Sequence, residues 1–148
     1  MALKFQFKSS ETNFMYITYP QPNGQVAVVI PCGDVNDAIK DVPEGVEYKI
    51  VESVDIDNDY FNAYEFDAEL GAKVNIEKAK AIHLDKFRSA RSPKLAKLDI
   101  DFMKAVEAND EANKTEIVAA KQALRDVTSI ELPNTLESIK ATWPDILY

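Results

Sequence analysis

The sequence predicts an α+β chain: a small N-terminal antiparallel β module over residues 1–72, then a C-terminal helical hairpin module over residues 73–148. Three observations carry this. Strand-period alternation and β-branched or aromatic runs are confined to the first half. Apolar residues at helical spacing, preceded by capping residues, fill the second. Charge changes character along the chain as well. Residues 1–72 carry 4 basic and 13 acidic groups, residues 73–97 carry 8 and 2, and residues 98–148 carry 5 and 10.

The elements follow in order. Leu3, Phe5 and Phe7 alternate with Lys4, Gln6 and Lys8, the period of a half-buried strand. FMYITY, Phe14 to Tyr19, reads as a strand. PQPNGQ supplies a turn around Asn23-Gly24, and QVAVVI returns as the second arm of a hairpin. PCGD interrupts the sheet, and Asp34 can cap a short helix, DVNDAIKD, with Val35, Ala38 and Ile39 on one face. VPEGV is a turn. EYKIV (Glu47 to Val51) and YFNAYEF (Tyr60 to Phe66) read as strands, which gives a sheet of three to five strands.

Asn75 can cap a helix over about residues 75–90, with Ile76, Ala79, His83, Phe87 and Ala90 on one stripe. Ser92-Pro93 reads as a restart, since serine favours the N-cap and proline the first helical position. The next helix runs over about 93–107 with Leu95, Leu98, Phe102 and Val106 on one side. A third, over about 113–127, has Asn113 and Glu116 at capping-box spacing and a stripe of Ile117, Ala120, Leu124 and Val127. Two helices of this length with a short connection suggest an antiparallel hairpin. Asn134 and Glu137 repeat the spacing before a last helix, about 135–142, with Leu136, Ile139 and Trp143. Pro144 ends it. Trp143 reads as a core anchor in preference to a partner hot spot, because so short a helix needs one.

Composition excludes several chemistries. A net charge of −8 argues against general nucleic-acid binding, and the basic segment 73–97 lacks the interleaved aromatics of a base-stacking surface. No apolar run approaches the roughly 20 residues of a membrane span. The N-terminus has no signal-peptide core, so an intracellular protein, or one assembled into a particle inside a cell, is expected. One cysteine, Cys32, permits no internal disulfide or thiolate cage. Cys32 and His83 are about 50 residues apart with no supporting motif, so a nucleophile–base pair is not expected; His83 reads as a hydrogen-bonded core-edge histidine. DIDND (Asp55 to Asp59) starts like a calcium loop, but Tyr60 stands where the sharp turn needs glycine and Phe66 where the bidentate glutamate belongs. An acidic surface loop is the reading. No phosphate loop, HExxH or GxSxG is present. No catalytic, cofactor or metal residues are expected.

One segment resists a purely local account. In AAKQALRDV (Ala119 to Val127), Gln122, Arg125 and Asp126 lie off the apolar stripe. Lys121 and Arg125 are like-charged neighbours four apart, and Asp126 sits where the helix dipole prefers a cation. A tertiary or partner contact would explain them: Arg125 could donate to backbone carbonyls or to a carboxylate such as Glu131 or Asp99.

Three stretches of the second half, FRSARSPKLAKLDIDFMKAVEAND, AAKQALRDV and ATWPDIL, resemble in this order a family of small bacteriophage proteins related to tail (fibre) assembly chaperones. The matching positions are Arg88, Arg91, Leu98, Asp99, Lys121, Gln122, Leu124, Arg125, Asp126, Trp143 and Pro144. VPEGVEYKIV in the first half is also similar, so the likeness spans roughly residues 43–147. Relatives tend to carry arginine-asparagine-alanine-tryptophan after it; here stand Phe61, Asn62, Ala63 and Tyr64.

The resemblance implies a non-enzymatic assembly factor that binds a phage tail or tail-fibre protein in the host cytoplasm, with a homo-oligomer as a further option. Its alternative is a structural component (tail, collar or fibre adaptor) retained in the virion. Candidate partner-contact or module-defining residues are Arg88, Arg91, Lys121, Gln122, Arg125, Asp126 and Trp143.

Overall fold

The computed structural model describes residues 15–148; the strand expected at Leu3–Lys8 lies outside them. The chain divides into two compact units, Met1–Ala79 and Lys80–Tyr148. The boundary expected after residue 72 therefore moves into a helix.

In the first unit, β1 (Tyr16–Pro20) lies between β2 (Val26–Val29) and β3 (Lys49–Val51), both antiparallel to it. Ile17 faces Val29 on one side and Ile50 on the other. The β1–β2 hairpin forms where Asn-Gly marks it. Gly24, at φ +79°, donates its N–H to the Gln21 carbonyl at 2.9 Å, while Gln21 N–H reaches the Gln25 carbonyl at 2.8 Å. Asp34 caps α1 (Val35–Ala38) by accepting from Asn36 N–H, and a 3-10 turn over Ile39–Asp41 continues it. A second, two-stranded sheet pairs β4 (Tyr64–Asp67) with β5 (Gly71–Val74).

Two strand expectations change here. YFNAYEF is a strand only from Tyr64, because Asn58–Ala63 is 3-10. The cause is Asp57, whose carboxylate accepts from Asp59 N–H and turns the chain before the aromatic run can extend. Strand β5 was not expected at all: GAKV offers one β-branched residue, and its strand state rests on pairing with β4. Gly71 is required at its start. It sits at φ +83°, and a Cβ there would stand 2.9 Å from Thr18 Oγ1 and 3.0 Å from Val51 Cγ1. The β5 backbone thus lies directly against the first sheet.

α2 (Ile76–Glu107) is a single helix of 32 residues. Asn75 caps it as expected, accepting from Lys78 N–H at 3.1 Å. Its first turn belongs to the first unit: Asn75 N–H bonds the Ala63 carbonyl, and Lys78 Nζ reaches Glu65 at 2.7 Å. The Lys78 and Asn75 side chains on Glu65 hold its carboxyl below the ordinary value.

The two helices expected at 75–90 and 93–107 are corrected to this one, with Pro93 inside it. An internal proline costs about 3 kcal/mol by deleting one backbone bond and crowding the carbonyl four residues back. Ser89 and Pro93 are both exposed, so the freed Ser89 carbonyl can turn to water. Packing offsets the rest. Leu84 and Ala90 before the proline, and Leu95 and Leu98 after it, rest on one cluster of Phe87, Leu124, Val127, Leu132 and Leu147.

α2 ends at a left-handed Asn109 (φ +54°), with Asp110 N–H on the Ala105 carbonyl and Asn109 N–H on Val106. This is the helix-ending arrangement usually given to glycine. α3 (Glu111–Asp126) begins two residues before the expected 113, because Asp110, not Asn113, is the cap and accepts from Asn113 N–H at 3.0 Å. α4 (Leu136–Ala141) is likewise capped by Thr135 in place of Asn134, whose side chain instead accepts from Lys80 Nζ at 2.7 Å.

Candidate functional site

The unexplained polar residues of AAKQALRDV acquire partners in the second unit. The last carbonyls of a helix have no intrahelical donor and carry the negative end of its dipole. At the end of α3 the donor is Arg91. Its guanidinium lies 2.8 Å from the Arg125 carbonyl, 3.4 Å from that of Leu124 and 3.1 Å from Thr128 Oγ1. Thr128 itself donates to the Arg125 carbonyl at 3.2 Å. A cation therefore does sit at this terminus, supplied by α2, 34 residues upstream.

The roles suggested for Arg125 are thus filled by other residues. Arg91 takes the backbone carbonyls, and Lys121 takes Asp99 at 2.5 Å. Lys121 also lies over the Phe102 ring, 5.5 Å from its centroid, which draws it off the Arg125 side. Among the described residues the exposed Arg125 side chain makes no hydrogen bond or ion pair, and the same holds for Glu131. Gln122 donates to Asp126 at 2.8 Å, one turn apart, and so satisfies the carboxylate that the dipole disfavours. Among the described residues Arg88 pairs only with Asp85 on its own helix, both exposed.

Trp143 closes the arrangement. Its ring stands edge-on to Phe87 at 5.1 Å and to His83 at 5.9 Å, and His83 meets Phe87 at 4.7 Å. Such edge-to-face contacts add to the area that the rings bury. His83 is 2% exposed and donates from Nε2 to the Thr142 carbonyl at 2.7 Å. It is the hydrogen-bonded core histidine that its stripe position suggests. Trp143 sits at the cluster's edge, half-buried.

Of the seven candidate residues, the fold brings Arg91 to the end of the element holding Lys121, Gln122, Arg125 and Asp126. It sets Trp143 on Phe87, one turn before Arg91, and leaves Arg88 exposed. A shallow open depression of 420 Å³ lies along α2, lined by Arg88, Arg91, Ser92, Leu95, Ala96 and Asp99. Sequence reasoning missed Thr128, which carries no motif signal, and Lys94, whose ammonium bonds the Tyr148 main-chain oxygen.

Among the described residues no cluster of three or more His, Cys, Asp or Glu could hold a metal ion. The DIDND loop uses Asp57 as a cap, and Tyr60 beside it is buried. That burial, with Asp57 and Asp59 nearby, pushes its hydroxyl pKa up to about 12. Cys32 is exposed. No described helix is long and apolar enough to cross a membrane. No protein-family model, curated protein or solved structure matches the chain.

Proposed function

We propose that the protein is a non-enzymatic assembly factor of a bacteriophage tail, binding a tail or tail-fibre protein through its helical unit. One observation supports the reading above the others. The three stretches that carry the resemblance are joined by direct contacts. Arg91 and Asp99 of the first reach the Leu124 and Arg125 carbonyls and Lys121 of the second, and Trp143 of the third stands on Phe87 of the first. Residues scattered over 60 positions thus behave as one module. The same unit keeps apolar Ile100, Met103 and Val118 more than half exposed, together with the unengaged Arg125. Such exposure suits a surface that meets another protein.

A protein of this kind has a physical task. Fibre and tail subunits expose strand edges and apolar surface before they assemble, and a small acidic protein that covers them limits aggregation. The test is affinity capture of the tagged chain from infected cells, paired with mass spectrometry of purified, DNA-filled particles. Capture of a tail or fibre protein, with the chain absent from particles, is expected. Failure to capture any tail protein overturns the proposal. A stoichiometric amount in particles would make the chain a retained tail component instead.

A further inference from the structure

The sequence around Ser92-Pro93 carries the signals of a helix start, yet the backbone runs straight through it. Pro93 has no N–H for the Ser89 carbonyl, so the ladder of α2 lacks one bond near its middle. The side chains on either side of this gap are tied to other parts of the unit. Arg91, two residues before the proline, is held by the Leu124 and Arg125 carbonyls and by Thr128; Lys94, one residue after it, is held by the Tyr148 main-chain oxygen. Apolar contacts flank the gap as well, with Leu84, Phe87 and Ala90 before it and Leu95 and Leu98 after it, all on the same cluster. Ser92, Pro93 and Ala96 are exposed, so no described residue packs over the gap itself.

We propose that α2 is built to open at Ser92-Pro93, with Arg91 as the latch that couples this opening to the last turn of α3. In the closed state the guanidinium holds the α3 carbonyls and keeps the two halves of α2 in line. In the open state Ser92 caps a new helix that begins at Pro93, Arg91 leaves the α3 terminus, and the contacts of Phe87 and Leu95 with the shared cluster part. Opening at the gap and loosening of residues 125–129 are then one event.

The test is hydrogen–deuterium exchange on the full chain, read by peptide for wild type, Pro93→Ala, Arg91→Ala and Arg91→Lys. In the wild type the amides of residues 94–97, whose acceptors flank the proline, should exchange about tenfold faster than those of 84–90 and 100–106. Pro93→Ala restores the missing donor and should slow residues 94–97 by about tenfold. Arg91→Ala should speed residues 94–97 and 125–129 together, and Arg91→Lys should recover part of that protection. Uniform exchange along α2 in the wild type overturns the proposal, as does a Pro93→Ala profile equal to the wild type. If Arg91→Ala speeds only residues 125–129, the coupling is refuted and Arg91 is a plain cap. Pro93→Ala introduces a better helix former at an exposed position, so its result is readable even if Arg91→Ala unfolds the unit.

Discussion

Replacing Trp143 by alanine separates its two possible roles, core anchor and partner contact. Full burial makes a Trp→Ala change cost about 3–5 kcal/mol. Trp143 is half-buried, which reduces that term to about 2 kcal/mol. Its edge-on contacts with Phe87 and His83 add about 1 kcal/mol together after the same discount for exposure. The expected loss is therefore about 3 kcal/mol, confined to the unit Lys80–Tyr148, which holds every contact involved. With a urea m-value of about 1.5 kcal/mol/M, suited to a small unit, the midpoint should fall by about 2 M. The assay is urea unfolding followed by circular dichroism, since most of the helix belongs to this unit. In the wild type, fluorescence of the single tryptophan should report the same transition. A midpoint shift below about 0.5 M would refute the core-anchor reasoning. Trp143 would then be free to act as a contact residue, and partner capture by the folded variant would be the next readout.

Arg125→Ala should leave stability within about 0.5 kcal/mol of wild type, because the exposed side chain has no partner among the described residues, yet should weaken capture of a tail protein. Equal capture by both proteins removes Arg125 from the contact surface. Gly71→Ala should destabilise the first unit by about 2–4 kcal/mol, since it combines a left-handed backbone with crowding by Thr18 and Val51. A thermal midpoint unchanged in Gly71→Ala would refute the close approach of β5. Asp67 accepts from the N–H groups of Leu70 and Glu69, and these bonds hold its carboxyl below the ordinary 3.8. A lowered folded-state pKa gives stability that is complete above pH 3.8 and lost as pH falls through the folded value. Asp67→Asn should therefore flatten the acid limb of thermal stability measured from about pH 5 to about pH 2; an unchanged slope would show that the turn contributes nothing there.

What the sequence made legible was local. The hairpin at PQPNGQ, the Asp34 and Asn75 caps and the existence of α3 and α4 depend on residues within a turn of one another. The misplaced features depend on competition or distance. Tyr60 to Ala63 could have extended into a strand, and the capping bond from Asp59 N–H to Asp57 started a 3-10 turn there instead. At α3 and α4 two nearby residues could each cap, Asp110 or Asn113 and Asn134 or Thr135, and the capping-box pattern chose the later candidate in the first case and the earlier in the second. Ser92-Pro93 has the chemistry of a helix start, but packing on both sides of the proline outweighs it. The candidate site shows the same limit. Arg91 and Arg125 could each be singled out, but the assignment of donor and acceptor rests on a contact across 34 residues, which no spacing rule reaches. Asp99 and Lys121 are paired across two helices for the same reason.

The boundary between the two units falls between Ala79 and Lys80, inside α2, where other multi-unit chains place a loop. A protease needs an extended strand of backbone to enter its cleft, and none is offered at this junction. Limited digestion should therefore trim loops within the units before it separates them. The same junction limits how such a gene can vary. A linker accepts an insertion of any length, whereas one residue added beside Ala79 would shift the helical phase of the rest of α2 by about 100° relative to its first turn. A change to the gene beside Ala79 therefore acts on the register of α2 itself.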